Sequence, residues 1–345
     1  MAPDLTKSAA QTALRPTVPG SHLLEVDDLS VEFRTDYGTV RAVNSLSYHL
    51  DKGETLAILG ESGSGKSVSA QAIMGIIDTP PGYVTSGQIR YQGRDLLTMG
   101  KAEQRAMRGA EIAIVFQDAL SALNPVFTVG AQIAEMFQVH RGTSKKQALA
   151  HAAELMDRVR IPSAKSRLKD YPHQFSGGMR QRVMMAMALA LDPKVLIADE
   201  PTTALDVTVQ AQIMDLLLSL QAENGMGVIL ITHDLGVVGE VADRVAVMYA
   251  GRIVETGGIH EVFGSPAHPY TVGLMNSVPR VDQRGQRLSP IVGSPPNLAD
   301  IPPGCSFHPR CPRAELICRQ ERPPLREVVL GRQSACHFAE QVVDA

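Results

Sequence analysis

Apolar and polar positions alternate regularly near the start of the chain. The segment 23–35, LLEVDDLSVEFRT, has the alternation of a half-buried strand, so we place the start of ordered structure near Leu23. A second strand at 54–60, ETLAILG, runs into a glycine-rich turn and then into the helical pattern KSVSAQAIMGII at 66–77. The pattern therefore predicts a strand, a loop and a helix in direct succession.

The apolar period changes to that of helices between residues 128 and 171. Val129, Ile133 and Phe137 share one face there, which predicts a small helical subdomain. A further helical pattern covers 179–191.

Two continuous apolar runs then predict buried strands. They are KVLIAD at 194–199 and GVILIT at 227–232, and the helical pattern at 208–223 separates them. A strand, a helix and a strand at this spacing favour parallel pairing. The segment 244–257, RVAVMYAGRIVETG, predicts two short strands about the turn Ala250–Gly251.

The chain has 345 residues, which favours more than one domain. After Gly264, frequent prolines replace the periodic pattern, so we place a domain boundary there. We expect a flexible tail at 1–22 and a large α/β domain at 23–264, with its helical subdomain at about 118–178. A small cysteine-containing domain is expected at 265–345.

Composition and charge narrow the class of protein. Apolar residues make up 44% and charged residues 20%, as in globular proteins. A net charge of -3 predicts no nucleic-acid partner. The longest apolar run, nine residues from Val183, is about half of the ~20 that cross a bilayer, and the N-terminus lacks a signal-peptide core. We therefore expect a cytoplasmic protein, with its thiols reduced.

The run GESGSGKS matches the phosphate-binding P-loop pattern G-x-x-x-x-G-K-[ST]. It follows a predicted strand and opens a predicted helix, as the mechanism requires; an ordinary glycine turn is the alternative. Backbone N–H groups would wrap phosphate oxygens, Lys66 would reach the β and γ phosphates, and Ser67 would bind Mg²⁺. The predicted site residues are Gly60, Glu61, Ser62, Gly63, Ser64, Gly65, Lys66 and Ser67.

A second acidic element follows the buried strand at 194–199. Asp199 is placed to hold Mg²⁺, and Glu200 can orient or deprotonate the attacking water. The alternative is an acidic turn after a strand. The P-loop elsewhere in the chain favours the catalytic interpretation.

The run FSGGMRQR at 175–182 puts Ser176, Gly177 and Gly178 at a helix start, a second anion-binding end. The N-termini of two helices in one chain do not easily point at the same phosphate. The second N-terminus therefore indicates that a second subunit takes part. This run resembles the signature of ATP-binding cassette (ABC) ATPases, in which two cassettes pair head to tail. The resemblance implies a P-loop fold with a mixed sheet core, an antiparallel β subdomain and a helical subdomain.

The resemblance also implies roles for residues outside these motifs. Tyr37 resembles the aromatic residue that stacks on adenine, and Gln117 resembles the glutamine that contacts Mg²⁺. The run Ala204–Asp206 resembles the loop that crosses the dimer interface, and His233 resembles the histidine at the γ phosphate. The signature departs from the usual pattern at Met179, which cannot offer an amide hydrogen bond.

Three longer runs resemble the ATPase subunits of bacterial dipeptide, oligopeptide and nickel permeases. They lie at 116–135, 268–279 and 302–318. The resemblance implies one half of an ATPase heterodimer at the cytoplasmic face of the membrane. Two membrane subunits and an extracytoplasmic peptide-binding protein would complete a peptide importer. The alternatives are a nickel or other small-solute importer, a cassette protein without a transport role and, from the cysteines alone, an iron-sulfur redox or repair enzyme.

The cysteines have the spacing C-x5-C-x6-C-x17-C, without a tight C-x-x-C pair. Four thiolates suit a [4Fe-4S] cluster, our first expectation; zinc, a disulfide and unoccupied thiols are the alternatives. His308 and His337 are possible substitute ligands, and a structural role is preferred over redox sensing. The predicted ligands are Cys305, Cys311, Cys318 and Cys336.

Overall fold

The structure is a computed structural model that describes residues 22–36, 38–203, 205–277 and 290–343, with the side chain of Leu120 excluded. Residues 1–21 of the tail predicted at 1–22, together with Tyr37 and Ala204, lie outside the described residues.

The described residues form twelve strands, among them those predicted from alternation and from continuous apolar runs. They are β1 (Leu24–Thr35), β2 (Gly38–Leu50), β3 (Thr55–Leu59), β4 (Gly82–Tyr91), β5 (Arg94–Asp95), β6 (Ile112–Val115), β7 (Val195–Asp199), β8 (Gly227–Thr232), β9 (Arg244–Tyr249), β10 (Arg252–Gly258), β11 (Arg326–Val329) and β12 (Arg332–Ser334).

Thirteen α-helices and two short 3-10 turns, Pro172–Gln174 and His308–Arg310, complete the described elements. The helices are α1 (Lys66–Met74), α2 (Lys101–Met107), α3 (Ala119–Ala122), α4 (Val129–Arg141), α5 (Lys145–Arg158), α6 (Ala164–Arg167), α7 (Gly177–Leu189), α8 (Val207–Asn224), α9 (Leu235–Val241), α10 (Ile259–Gly264), α11 (Pro269–Asn276), α12 (Leu316–Gln320) and α13 (Ala339–Val343).

The larger sheet has eight strands in the order β11-β12-β10-β9-β3-β8-β7-β6. The five strands from β9 to β6 pair in parallel, which confirms the parallel pairing predicted for β7 and β8. Every residue of β3, β7 and β8 is buried, as continuous apolar runs require when both faces of a sheet are covered. The carboxyl ends of these three strands therefore meet at one edge of the sheet.

A second, antiparallel sheet has the order β2-β1-β4-β5. Its apolar face shares a buried cluster with α1 and with one face of the larger sheet. The helices α4 to α7 pack on the opposite face of the larger sheet. Of these, α4, α5 and α6 fall within the range 118–178 for which a helical subdomain is predicted. Thr128 and Ser144 cap α4 and α5 by accepting backbone N–H bonds, so these helices begin where side-chain oxygens replace missing backbone acceptors.

The C-terminal segment, residues 265–277 and 290–343, packs directly on the part of the chain that precedes it. Strand β12 pairs with β10 and extends the larger sheet. Glu255 of β10 is fully buried and accepts the backbone N–H groups of Ala267 (2.6 Å) and His268 (3.0 Å). Burial raises the pKa of this carboxyl group. The proline-rich sequence therefore folds against buried polar and aromatic groups of β9 and β10, which its own periodicity does not reveal.

Within the described ranges, no helix combines the length and the apolar character needed to span a bilayer.

Candidate nucleotide site

The P-loop lies between the end of β3 at Leu59 and the start of α1 at Lys66. Two of its glycines have no room for a side chain. A Cβ atom on Gly60, at φ +155°, would lie 2.2 Å from the carbonyl oxygen of Met248. A Cβ atom on Gly65, at φ +102°, would lie 2.2 Å from the carbonyl oxygen of Ala42. Close backbone packing therefore restricts both positions to glycine.

Lys66 is buried at the first position of α1. Its Nζ atom donates to the carbonyl oxygens of Gly60 (2.8 Å) and Glu61 (3.0 Å) within the loop. Burial lowers the pKa of this amine, and the carboxylates of Glu200, Asp199 and Glu61 oppose that shift. The P-loop thus encloses the ammonium group of Lys66, which lies close to the three carboxylates.

The side-chain oxygen atoms of Ser67 and Asp199 lie next to each other beside the P-loop. The Ser67 hydroxyl donates to Asp199 Oδ1 at 3.0 Å. Burial raises the pKa of Asp199, the Ser67 hydrogen bond lowers it, and the neighbouring charges of Glu200 and Lys66 oppose each other. A hydroxyl and a carboxylate at this separation suit a hard cation such as Mg²⁺.

Glu200 lies at the centre of a polar network. Its Oε2 atom accepts from Gln117 Nε2 (2.8 Å) and Thr203 Oγ1 (2.9 Å), and its Oε1 atom lies 3.3 Å from His233 Nδ1. The Glu200 side chain is 14% exposed, whereas that of His233 is 61% exposed. Glu200 also has φ +46°, an uncommon value for a residue with a side chain. The network holds one carboxylate in place at the edge of the open cavity.

One cavity of about 670 Å³ joins most of the predicted residues. The sequence did not point to Ala42, Val68, Thr203 or Leu298. Only Val68, directly after Ser67, and Thr203, three residues after Glu200, lie close to a predicted motif. Asp199 and Gly60 are not lining residues, but each contacts one. Asp199 accepts a hydrogen bond from Ser67, and the carbonyl oxygen of Gly60 accepts one from Lys66. The lining residues are Ala42, Ser62, Gly63, Ser64, Gly65, Lys66, Ser67, Val68, Gln117, Glu200, Thr203, His233 and Leu298.

The signature residues do not line this cavity. Ser176 caps α7, where its hydroxyl accepts from Met179 N at 3.4 Å, and the following glycines begin that helix. Ser176 and Gly177 are exposed, and Gly178 is half-buried. Asp206 is also exposed and caps α8, with Oδ1 accepting from Val209 N at 2.9 Å. These groups therefore present a separate surface beside the cavity of the same chain.

The four cysteines line a single small cavity in the C-terminal segment, and all four thiols are free. Burial raises the pKa of Cys305 and Cys336 to about 11, and neighbouring cysteines add to both shifts. Cys305 N also donates to the carbonyl oxygen of Cys318 at 2.8 Å. Among these described residues, no three of the sulfur atoms lie within 4.8 Å of one another.

His308 and His337, the predicted substitute ligands, line the same cavity. Each ring has one nitrogen near a backbone carbonyl oxygen, that of Cys305 (2.9 Å) and that of Glu321 (3.0 Å) respectively. One nitrogen of each ring therefore has a partner within the protein.

Comparison with known proteins gives the family. Residues 43–203 match the family described as ABC transporter, and residues 254–318 match the family described as oligopeptide/dipeptide transporter, C-terminal region. The oligopeptide transport ATP-binding protein OppD of Salmonella typhimurium is 50% identical over 329 residues, 95% of this chain and 97% of that protein. The chain belongs to the ABC transporter ATP-binding proteins. The dipeptide transport ATP-binding protein DppD of Escherichia coli is 51% identical, covering 92% of this chain and 96% of its own length.

Solved ABC structures confirm the cassette fold. The dimeric structure of MJ0796, a bacterial ABC transporter cassette, superposes with a TM-score of 0.62 at 26% identity. It covers 68% of this chain and 98% of its own length. A second structure of that cassette, in a post-hydrolysis state with ADP and phosphate bound, gives the same values. The ABC fold and the ATPase activity of the family thus apply to this chain.

Proposed function

We propose that this ABC ATPase powers the uptake of dipeptides or oligopeptides into the cell. The observation that carries the proposal is the extent of the similarity. About half of all positions are identical to peptide transport ATP-binding proteins over nearly the whole chain, including the C-terminal segment. A nickel or other small-solute importer of the same family is the second candidate. The chain would lie at the cytoplasmic face of the membrane, bound to the membrane subunits.

At the nucleotide site, the P-loop amides and Lys66 would bind the phosphates of ATP, because both present donors to the same cavity. Ser67 and Asp199, with Gln117, would hold Mg²⁺, which neutralises phosphate charge when bound. The aromatic ring of Tyr37 would stack on adenine.

Catalysis would depend on Glu200, which would accept a proton from the attacking water. The three hydrogen-bonding partners of its carboxylate hold it at the wall of the cavity. His233 would contact the γ phosphate from the exposed side of the same network.

A second ATPase subunit would complete this site. Ser176, Gly177 and Gly178 form an exposed helix start away from the cavity of their own chain, as a group that serves a partner's nucleotide must. Asp206, the last residue of the predicted interface loop Ala204–Asp206, lies exposed at the N-cap of α8. The resemblance further predicts two membrane subunits and an extracytoplasmic peptide-binding protein as partners.

Reconstitution tests the cargo. The chain is co-expressed with its candidate ATPase partner and two membrane subunits, purified, and placed in liposomes with the binding protein. We expect ATP-dependent accumulation of labelled dipeptide or oligopeptide. We expect no accumulation when Lys66→Ala in this chain is combined with substitution of the P-loop lysine in the partner ATPase. Uptake of Ni²⁺ without peptide uptake would favour the second candidate. Co-purification with ribosomes or nucleic acid instead of membrane subunits would overturn the transport proposal.

We further propose that the four cysteines hold a [4Fe-4S] cluster. The arrangement fits the group, because all four thiols line one cavity and none forms a disulfide. Zinc, with Zn–S bonds of about 2.3 Å, is the alternative occupant of the same four thiols. Bound there, the cluster would crosslink Cys305, Cys311, Cys318 and Cys336.

Metal analysis of the anaerobically purified complex tests this proposal. We expect about four iron and four sulfide per chain, and a brown colour, as a [4Fe-4S] cluster requires. Serine substitution of Cys311 should remove most of the iron. One equivalent of zinc in a colourless protein would overturn the assignment.

A further inference from the structure

A residue of the cysteine-containing loop forms an ion pair with the P-loop. Arg310 lies in the 3-10 turn His308–Arg310, directly before Cys311. Its NH1 and NH2 atoms donate to the two carboxylate oxygens of Glu61, at 2.6 and 3.0 Å. The Arg310 side chain is 5% exposed and that of Glu61 is 26% exposed. A two-pronged, largely desolvated pair of this kind fixes orientation as well as distance.

A second group of the C-terminal segment binds the same P-loop residue. The hydroxyl oxygen of Tyr270, at the start of α11, accepts the backbone N–H of Glu61 at 2.9 Å. Tyr270 is fully buried, and its ring packs 4.6 Å from Tyr249 and 5.4 Å from Phe307 between centroids. Three packed aromatic rings leave the hydroxyl little freedom to move. The backbone and the side chain of Glu61 are therefore both held from outside the P-loop.

The remaining polar group of Glu61 faces the phosphate-binding lysine. Its carbonyl oxygen accepts from Lys66 Nζ at 3.0 Å and from the backbone N–H of Ser64 at 3.3 Å. Any displacement of Glu61 thus moves the groups that set the position of Lys66 and the curvature of the loop. Arg310 and Tyr270 both contact Glu61, and Glu61 contacts Lys66. A single residue therefore separates them from the phosphate-binding amine.

The C-terminal segment also reaches the cavity wall directly. Leu298 lines the nucleotide cavity together with Ala42. Its carbonyl oxygen accepts the backbone N–H of Arg41 at 3.4 Å, which ties the wall to β2. The segment therefore contacts the site at two separate places, the P-loop and the wall near Ala42.

We propose that Arg310 and Tyr270 are positioning residues that hold the P-loop in its phosphate-binding shape, so that the C-terminal segment forms part of the nucleotide site. A P-loop that is already held in shape binds phosphate without losing conformational freedom. A loop without these contacts must be ordered when ATP binds, and the entropy lost in ordering lowers its affinity. The inference rests on ATP binding at the P-loop and is independent of which solute is transported.

ATP affinity of the purified, reconstituted complex tests the proposal. We compare wild type, Arg310→Gln and Glu61→Gln, each in a background where the partner ATPase carries a P-loop lysine substitution. Arg310→Gln should raise both Kd and KM for ATP about ten-fold, while kcat changes less than three-fold because Glu200 keeps its contacts. The double variant Arg310→Gln/Glu61→Gln should have a Kd for ATP no higher than that of the worse single variant, because both substitutions break the same ion pair. Arg310→Lys should recover part of the affinity.

Arg326→Gln is the matched control. Arg326 forms a similar two-pronged pair with Glu340 in the C-terminal segment, at 2.6 and 2.9 Å, without contact to the P-loop. This variant should keep wild-type Kd and KM. Tyr270→Phe, which keeps the ring packing and removes one hydrogen bond, should raise Kd about three-fold and remains informative if Arg310→Gln fails to fold.

Three results would overturn the proposal: a Kd within two-fold of wild type for Arg310→Gln and Tyr270→Phe, additive losses in the double variant, or equal losses in the control. Failure of the peptide-import proposal would appear differently, as missing peptide uptake by a complex whose ATP affinities follow the expected pattern.

Discussion

His268 should make folding stability depend on pH. The residue is 1% exposed at the start of α11, and its Nδ1 atom accepts the backbone N–H of Tyr270 at 3.0 Å. That hydrogen bond requires an unprotonated Nδ1 atom. Burial lowers the pKa of His268 to about 3. Protonation would place a second donor against the Tyr270 N–H and a charge in an apolar site.

The sign follows from proton linkage. In the unfolded chain the histidine pKa is about 6.5, so between about pH 6.5 and 3 the unfolded state binds more protons than the folded state. The free energy of unfolding therefore falls as the pH is lowered through this window. At 1.36 kcal/mol per pKa unit, acidification from pH 7 to pH 5 should cost about 2 kcal/mol through His268 alone.

Urea unfolding at pH 7, 6 and 5 measures this contribution, with His268→Asn as the comparison. Asparagine keeps an acceptor near the Nδ1 position and does not titrate. The variant should be less stable at pH 7, because it leaves space in the core. Between pH 7 and pH 5, however, it should lose about 2 kcal/mol less than wild type. His49, whose pKa burial lowers to about 4, is present in both proteins and cancels.

Parallel pH curves for the two proteins would refute the reasoning. So would an NMR titration of folded protein in which His268 takes up its proton near pH 6.5.

Three further predictions concern the nucleotide and cysteine sites. Glu200→Gln should lower kcat by about 10² to 10⁴ while ATP still binds, and a near-normal steady-state rate, with the partner's site disabled, would contradict the assigned role. Gly65→Ala should abolish measurable ATP binding in a nucleotide titration, because its Cβ atom would lie 2.2 Å from a backbone oxygen; Gly100→Ala, with open space at its Cβ position, should bind normally. Cys311→Ser should lower the melting temperature of anaerobically purified protein, and should leave it unchanged if the thiols hold nothing.

Local sequence was sufficient to predict residues that the structure brings together at the candidate nucleotide site. Lys66, Asp199 and His233 each follow a buried apolar run, and parallel strands carry their carboxyl ends to one edge of a sheet. Runs of a few residues thus indicated both the residue types and their common location. The glycines at 60 and 65 belong to the P-loop motif, and the structure adds the reason for them, since neighbouring backbone oxygens leave no room for a side chain.

The strands of the C-terminal segment were not predictable in the same way. Strands β11 and β12 are short and lie in a proline-rich sequence, and β12 forms because β10 offers it a free edge. Phe307 of the same segment is buried against residues of the cassette such as Leu59 and Tyr249. No periodicity within the segment encodes that surface.

The sequence by itself determined the ABC class, the phosphate-binding and acidic motifs, and the four-cysteine spacing, since each is a property of neighbouring residues. Only the tertiary structure decided that Glu61 and Arg310, 249 positions apart, would form one ion pair, and that Leu298 would reach the nucleotide cavity. The physical reason is that such contacts depend on where separate elements pack. Local patterns specify elements, whereas burial against distant surfaces decides which of their side chains meet.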